Sequence, residues 1–488
     1  MSPMSAVPGP GSDDGDVTGG SSGLPRRAGR RWHAELAWLG RGPGVASDVL
    51  IEASGDRFSA VTPGVPAGRL PAGTTRLAGL TLPGLANAHS HAFHRALRGR
   101  PWGATAGTFW TWRDQMYEVA ARLDPDSYYA LALATFAEMA LAGITCVGEF
   151  HYLHHGPDGT PYTIQNEMGL CLIEAARAAG IRITLLDACY LAGGFGPGGT
   201  PRPLSAAQQR FSDGTAAAWA ARMADLNPGE RGMLAPHARV GAAIHSVRAV
   251  PPDQVPEVMA WSHHHAAPVH VHLSEQPGEN GETSAAFGAT PTEVLSEAGV
   301  LGPRSTMVHA THLVAGDVSL LGDSQTSVCL CPLTEADLAD GVGPAPALAQ
   351  AGCSLALGTG GHSAIDLLAE ARWMELSQRL LFRRRGHFAP AALALAATAS
   401  GHACLGWPDA GEIVPDAYAD LVTVTLDRPR LAGARGGDDP LAAVLAAGTA
   451  ADVQHVVASG RDVVSDGHHL LLDDVPARLA AAIRAVTC

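Results

Sequence analysis

The stretch Leu82-Pro83-Gly84-Leu85-Ala86-Asn87-Ala88-His89-Ser90-His91-Ala92-Phe93-His94-Arg95 decides how the chain is read. An apolar run breaks at Pro-Gly, restarts, and ends in two histidines with one residue between them. On a β-strand, residues i and i+2 point to the same face. His89 and His91 therefore converge on one point at a strand's end, and two neutral imidazoles aimed at one point make half a zinc site. In a parallel α/β barrel the functional side chains stand at the C-terminal ends of the strands. The other half of the site is to be sought there.

Outward from this stretch, helical and strand patterns alternate. Asp124-Pro125-Asp126 opens a helix through Ala142, with an Asp cap and Pro in the first turn. Gly143 closes it, and Ile144–Phe150 reads as a strand. Gly169–Ala179 is helical, Gly180 ends it, and Ile181–Asp187 is the next strand. Further strands are expected at Val240–Ile244, Pro268–Leu273, Ser305–His309, Ser327–Cys331 and Cys353–Leu357. This many βα units favour an α/β fold, a closed (β/α)8 barrel over residues 83–410.

Both chain ends have a different character. Leu36–Leu39, Val49–Ile51 and Phe58–Val61 read as short strands, as do Gly411–Val414, Ala419–Val424, Val453–Ser459 and Val463-Val464. Residues 31–82 and 411–488 are expected to join as a small β-sandwich domain built from both ends. Residues 1–30 are Gly, Ser, Pro and Asp with few apolar anchors, and are expected to form a disordered tail.

The formal charge is −14, and all 33 basic side chains are arginine. That balance argues against nucleic acid as a partner. An anionic substrate has to be met by a few placed arginines rather than by the general field. No run of roughly 18 apolar residues marks a membrane span. Arg26-Arg27 and Arg30-Arg31 lack the apolar segment of a twin-arginine signal, so the expected location is the cytoplasm. The eight cysteines are scattered and do not suggest a disulfide framework. Cys329-Leu330-Cys331, with no second cysteine pair, reads as small residues on a buried strand.

Two later strand ends carry more chemistry. Pro268-Val269-His270-Val271-His272-Leu273-Ser274-Glu275 supplies His272 and, three residues on, Glu275. Met307-Val308-His309-Ala310-Thr311-His312 ends the next strand in His309. A third imidazole completes a metal shell, and a nearby carboxylate free of the metal can shuttle protons.

These motifs resemble the amidohydrolase superfamily, and within it the formimidoylglutamate deiminases. The likeness rests on residues 83–93, on Phe-Trp-Thr-Trp-Arg-Asp-Gln-Met-Tyr (109–117) and on Glu-Phe-His-Tyr-Leu-His-His (149–155). It continues through His-Ser-Val-Arg-Ala-Val (245–250), Val-His-Val-His-Leu-Ser-Glu-Gln (269–276), Val-His-Ala-Thr-His (308–312) and Arg-Trp-Met-Glu-Leu-Ser-Gln-Arg-Leu (372–380). The resemblance implies a distorted barrel with one zinc per chain, Fe2+ being the alternative, on His89, His91 and His272. It implies that Glu275 passes protons to the leaving nitrogen and that His309 polarises the water or the tetrahedral intermediate. Arg113, Tyr152, His245 and Arg248 match positions that hold the substrate, a small amino-acid-derived acid. Two guanidinium forks suit a dicarboxylate. A homodimer is also implied.

Two positions depart from the pattern. His94 stands where the family usually has Gln. Gly358-Thr359-Gly360-Gly361-His362 replaces the family's Gly-Ser-Asp-Ser-His, so Gly360 stands where the fourth ligand, an Asp, is expected. Asp366, six residues on, is a weak replacement because it falls in a helix-like segment. The expected function is hydrolysis of a formimidoyl or amidine C–N bond with release of ammonia, altered by the loss at 360. The alternatives are non-hydrolytic elimination, cyclisation or transfer, or an inactive ligand-binding relative.

Overall fold

The computed structural model describes residues 29–42, 44–100, 109–226 and 228–487. The expected disordered tail lies outside them, apart from Gly29 and Arg30.

Eight parallel strands follow one another around a barrel in chain order. They are β1 (Leu85–Ser90), β2 (Ile144–His151), β3 (Arg182–Cys189), β4 (Ala238–Ile244), β5 (Val269–Leu273), β6 (Ser305–His309), β7 (Ser327–Leu330) and β8 (Leu355–Leu357). Every residue of β1 to β6 is buried, as befits strands covered on both faces. Their sequences are accordingly almost continuously apolar, interrupted at the ends by the residues of interest. The last strand meets the first through a single parallel bridge, Ser90 to Gly360. There the Thr359 and Gly360 N–H groups both donate to the His89 carbonyl, at 3.0 and 3.1 Å. The ring closes on the residue that carries the first histidine.

The crossover helices start and stop where the sequence says. Asp124 caps Pro125–Leu141 by accepting from the Ser127 N–H. Gly180 ends Glu167–Ala179 at φ 81°, a left-handed value that glycine adopts without strain.

The chain ends form one mixed eight-stranded sheet. Thr75–Pro83 lies at its centre, parallel to Arg30–Trp38 and antiparallel to Leu421–Val424. Trp32, Val49, Ile51, Phe58, Leu421 and Val457 make its own core. One expected strand is absent: Gly411–Val414 is irregular, tied to the sheet by the Ile413 N–H to the Leu39 carbonyl at 2.9 Å. Gly411 sits at φ 87° and Pro415 follows, and both interrupt an extended run. The sheet is fastened to the barrel by a fully buried ion pair, Arg182 at the start of β3 with Asp420. Among the described residues no helix is long and apolar enough to cross a membrane, and all seven described cysteines are free.

Candidate active site

Strand ends deliver each histidine. His89 is the penultimate residue of β1, and His91 follows the strand with extended backbone. A short turn of helix, Ala92–Leu97, then folds His94 back until its ring lies 4.4 Å from that of His91. His272 stands on β5 and His309 ends β6. Beyond these tips the backbone is left-handed at Ser274 (φ 50°), His309 (φ 69°) and Ala310 (φ 51°). Such conformations are costly for residues with a Cβ and cluster where a side chain must be aimed.

Nitrogen atoms of His89, His91 and His272 all lie within 4.8 Å of one another, in a buried setting. The Nε2 atoms of His89 and His272 are 3.1 Å apart. The His91 and His272 Nδ1–H groups donate to the Phe150 and His245 carbonyls, each at 2.9 Å. Those bonds fix the tautomer and leave the Nε2 lone pairs turned inward. Burial, and then the neighbouring imidazoles, push all three well below the usual histidine range, so the rings are neutral. Lone pairs that face each other without a proton between them fit a shared cation.

A second pair of groups sits beside this cluster. His309 Nε2 lies 3.4 Å from Glu275 and its Nδ1 lies 3.4 Å from Glu335. Burial alone would lower the His309 imidazole, but Glu275 and Glu335 hold it up at about 10. Burial in turn pushes the Glu275 carboxyl upward. The arrangement stores a proton between a carboxylate and an imidazole.

One cavity takes in the expected metal-binding, catalytic and substrate-binding residues together with Gly360. Its lining includes the three neutral histidines, Glu275, His309, His94, Arg113, Tyr152, His245, Arg248 and Gly360. Tyr152 is 3.1 Å from His94 through its hydroxyl. Arg248 donates to Glu279 at 3.0 Å, and the other Glu279 oxygen accepts the Ser274 N–H. Burial, then the Arg248 and Arg113 charges, lower His245 to about 3.

The floor is held by a chain of buried hydrogen bonds. Asn87 donates to Thr359 (2.7 Å), whose hydroxyl lies 2.9 Å from His362 Nδ1. His362 Nε2 is 3.0 Å from the Ser90 hydroxyl, which donates to Glu149. Burial pushes the Glu149 carboxyl up to about 8. The chain locks the Gly358–His362 turn to β1. Gly360 lies at φ 42°, and a β-carbon there would come within 2.8 Å of the Thr334 hydroxyl.

The family model for the amidohydrolase family matches residues 80–463. The chain belongs to the amidohydrolase family. It is 38% identical over 406 residues to the formimidoylglutamate deiminase of Pseudomonas aeruginosa, covering 81% of this chain and 87% of that protein. It is 30% identical to 8-oxoguanine deaminase from the same species, covering 75% and 78%. Among solved structures, an amidohydrolase from Brucella melitensis superposes with a TM-score of 0.84 at 32% identity, over 94% of this chain and all of that one. An adenosine deaminase from Xanthomonas campestris, solved with bound zinc, shares the fold at a TM-score of 0.78 and 23% identity, over 93% and 97%. Amidohydrolase-family relatives of this kind are enzymes acting on C–N bonds.

Within this family member, sequence reasoning overlooked several contributors. Glu149 lay in a quoted motif but carried no role. Thr334 and Glu335 sit on a short helix after β7 with no ligand spacing to flag them. Arg202 and Glu282 also line the cavity, from loop and helix positions that no periodic pattern marks. Asp366 is no replacement ligand. It caps the helix Leu367–Phe382, one oxygen accepting from Ala369 (3.0 Å) and the other from Ala450 (2.9 Å).

Proposed function

We propose that the protein is a zinc-dependent enzyme that hydrolyses the C–N bond of a formimidoyl or amidine group on an amino-acid-derived acid, of the formimidoylglutamate type. The observation that carries this reading is the convergence of three neutral histidines, the Glu275–His309 pair and two arginines on one cavity. The 38% identity to a formimidoylglutamate deiminase supports the substrate class.

His89, His91 and His272 would hold the metal. Bound there, zinc acts as a Lewis acid and lowers the pKa of water. Arg113 and Arg248 receive the substrate's carboxylates as bidentate partners. Glu275 carries a proton from water to the nitrogen that leaves as ammonia, and His309 steadies negative charge on the tetrahedral carbon's oxygen. The balance is amidine plus water giving amide plus ammonia.

Zinc-loaded protein is expected to release ammonia from N-formimidoylglutamate. Glu275→Gln is expected to lower kcat by about 10²–10⁴-fold with zinc content unchanged. No ammonia from zinc-replete protein at high concentration removes this reading. Gly360 favours a second one, in which the cavity performs elimination, cyclisation or transfer without strong water activation. On that reading Gly360→Asp raises hydrolysis while lowering the native activity.

A further inference from the structure

The Glu275–His309 pair stands on two strand tips whose backbone is strained. Ser274, immediately before Glu275, lies at φ 50°, and His309 and Ala310 lie at φ 69° and 51°. Left-handed residues with a Cβ persist only where their surroundings over-determine them. Part of the restraint joins the tips directly. The Ala310 N–H donates to the Leu273 carbonyl and the His312 N–H to the Ser274 carbonyl, each at 3.0 Å. More comes from Asp340, in the turn after the helix Pro332–Asp337 and behind the residues that line the cavity.

Asp340 is buried and bonded to all three segments that carry the acid–base groups. Its carboxyl accepts from the side-chain amide of Gln276, the neighbour of Glu275. Its carbonyl accepts from Nε2 of His312, three residues past His309, at 2.7 Å. Its own N–H donates to the Glu335 carbonyl at 2.8 Å, and Glu335 is the second carboxylate beside His309. The other Asp340 oxygen is buried without a partner among the described residues. Burial, then the Glu275 charge, push the Asp340 carboxyl up to about 9; Glu335 adds to the rise and His309 opposes it. A neutral carboxyl suits a place near Glu275 and Glu335, where a third charge would repel both.

We propose that Asp340 is a positioning residue for the reaction: it clamps the β5 and β6 tips so that the Glu275 carboxylate stays facing the His309 imidazole. The inference rests on the deiminase reading for the reaction served, and Asp340 acts through Glu275 without touching the substrate. Cutting its bond to Gln276 lets the strained backbone at Ser274 relax, and Glu275 swings out of line with the leaving nitrogen. A displacement of about 1 Å at such a group costs about 10²-fold in rate.

The first measurement needs no substrate. It is amide hydrogen exchange of the whole protein, read over residues 273–276 and 309–312. Asp340→Ala is expected to speed exchange there by about fivefold, the effect of one lost hydrogen bond, with the sheet of the chain ends unchanged. Gln276→Ala cuts the same bond from the other side and is expected to do likewise, so the test stands if Asp340→Ala fails to fold. Unchanged exchange in whichever variant folds overturns the clamp, whatever the ammonia assay gives. Faster exchange in a protein that releases no ammonia from any amidine keeps the clamp and removes the deiminase reading. With N-formimidoylglutamate, Asp340→Ala is expected to lower kcat by about 10–100-fold at unchanged KM and zinc content. Asp340→Asn keeps an acceptor for Gln276 and adds no charge, and is expected to recover most of that loss. A raised KM or lost zinc with kcat retained, or no recovery in Asp340→Asn, overturns the positioning role.

Discussion

His89, His91 and His272 form one buried group of potential ligands, and His151, His154 and Asp187, at the junction of β2 and β3, form another. Spacing is alike, three nitrogens in one and two nitrogens with a carboxylate oxygen in the other, yet the surroundings differ. In the second group Arg222 reaches Asp187 through both terminal nitrogens, at 3.1 and 2.8 Å, and Trp219 adds a third donor at 2.9 Å. His154 spends Nε2 on the Ala188 carbonyl at 2.8 Å. A guanidinium thus already occupies the place of a cation, and the cluster is a structural ion pair. In the first group there is no arginine among the ligands and the lone pairs face one another. Ligand spacing alone does not make a metal centre; the carboxylate of the second group is already held by a guanidinium.

The largest effect should come from His272→Ala. Zinc content is expected to fall to near zero and hydrolysis by about 10⁴-fold or more, since both the Lewis acid and the activated water go. His151→Ala should leave zinc content unchanged by elemental analysis. Equal zinc loss in the two variants would erase the distinction. Next comes Arg222→Met, which leaves the fully buried Asp187 carboxylate without its partner. A loss of about 3–5 kcal/mol in unfolding free energy is expected, with zinc content retained. The smallest effect is a pH dependence. Burial raises the Asp187 carboxyl, but Arg222 and His154 outweigh it and hold the group below its usual range. A depressed folded-state pKa contributes stability that is complete above the unfolded value, about 3.9, and is lost as pH falls through the folded one. Thermal denaturation of the wild type should therefore show Tm falling below about pH 4. Arg222→Met should flatten that part of the fall.

Much of the barrel was legible because buried parallel strands are apolar throughout and their helices carry explicit caps, as at Asp124 and Gly180. Strand ends slipped by one or two residues, since hydrogen-bond pairing rather than composition sets them: Cys331 caps a helix instead of ending β7. Gly411–Val414 was misread because local apolar content outweighed the interruption by Gly411 and Pro415. The site residues were legible where a motif repeats a known spacing. Glu149, Thr334 and Glu335 were not, because their roles arise only from contact across strands.

By itself the sequence determined the alternation of strands and helices and the histidines at three strand ends. It also determined the absence of a side-chain carboxylate at position 360. Those follow from local periodicity and residue chemistry. Only the tertiary structure decided which of the two groups is already paired, because that depends on Arg222 reaching Asp187 from a separate helix. It likewise decided that the barrel closes through the His89 carbonyl onto Gly360, which lines the same cavity as the three imidazoles. Long-range packing makes that juxtaposition, and no stretch of chain encodes it alone.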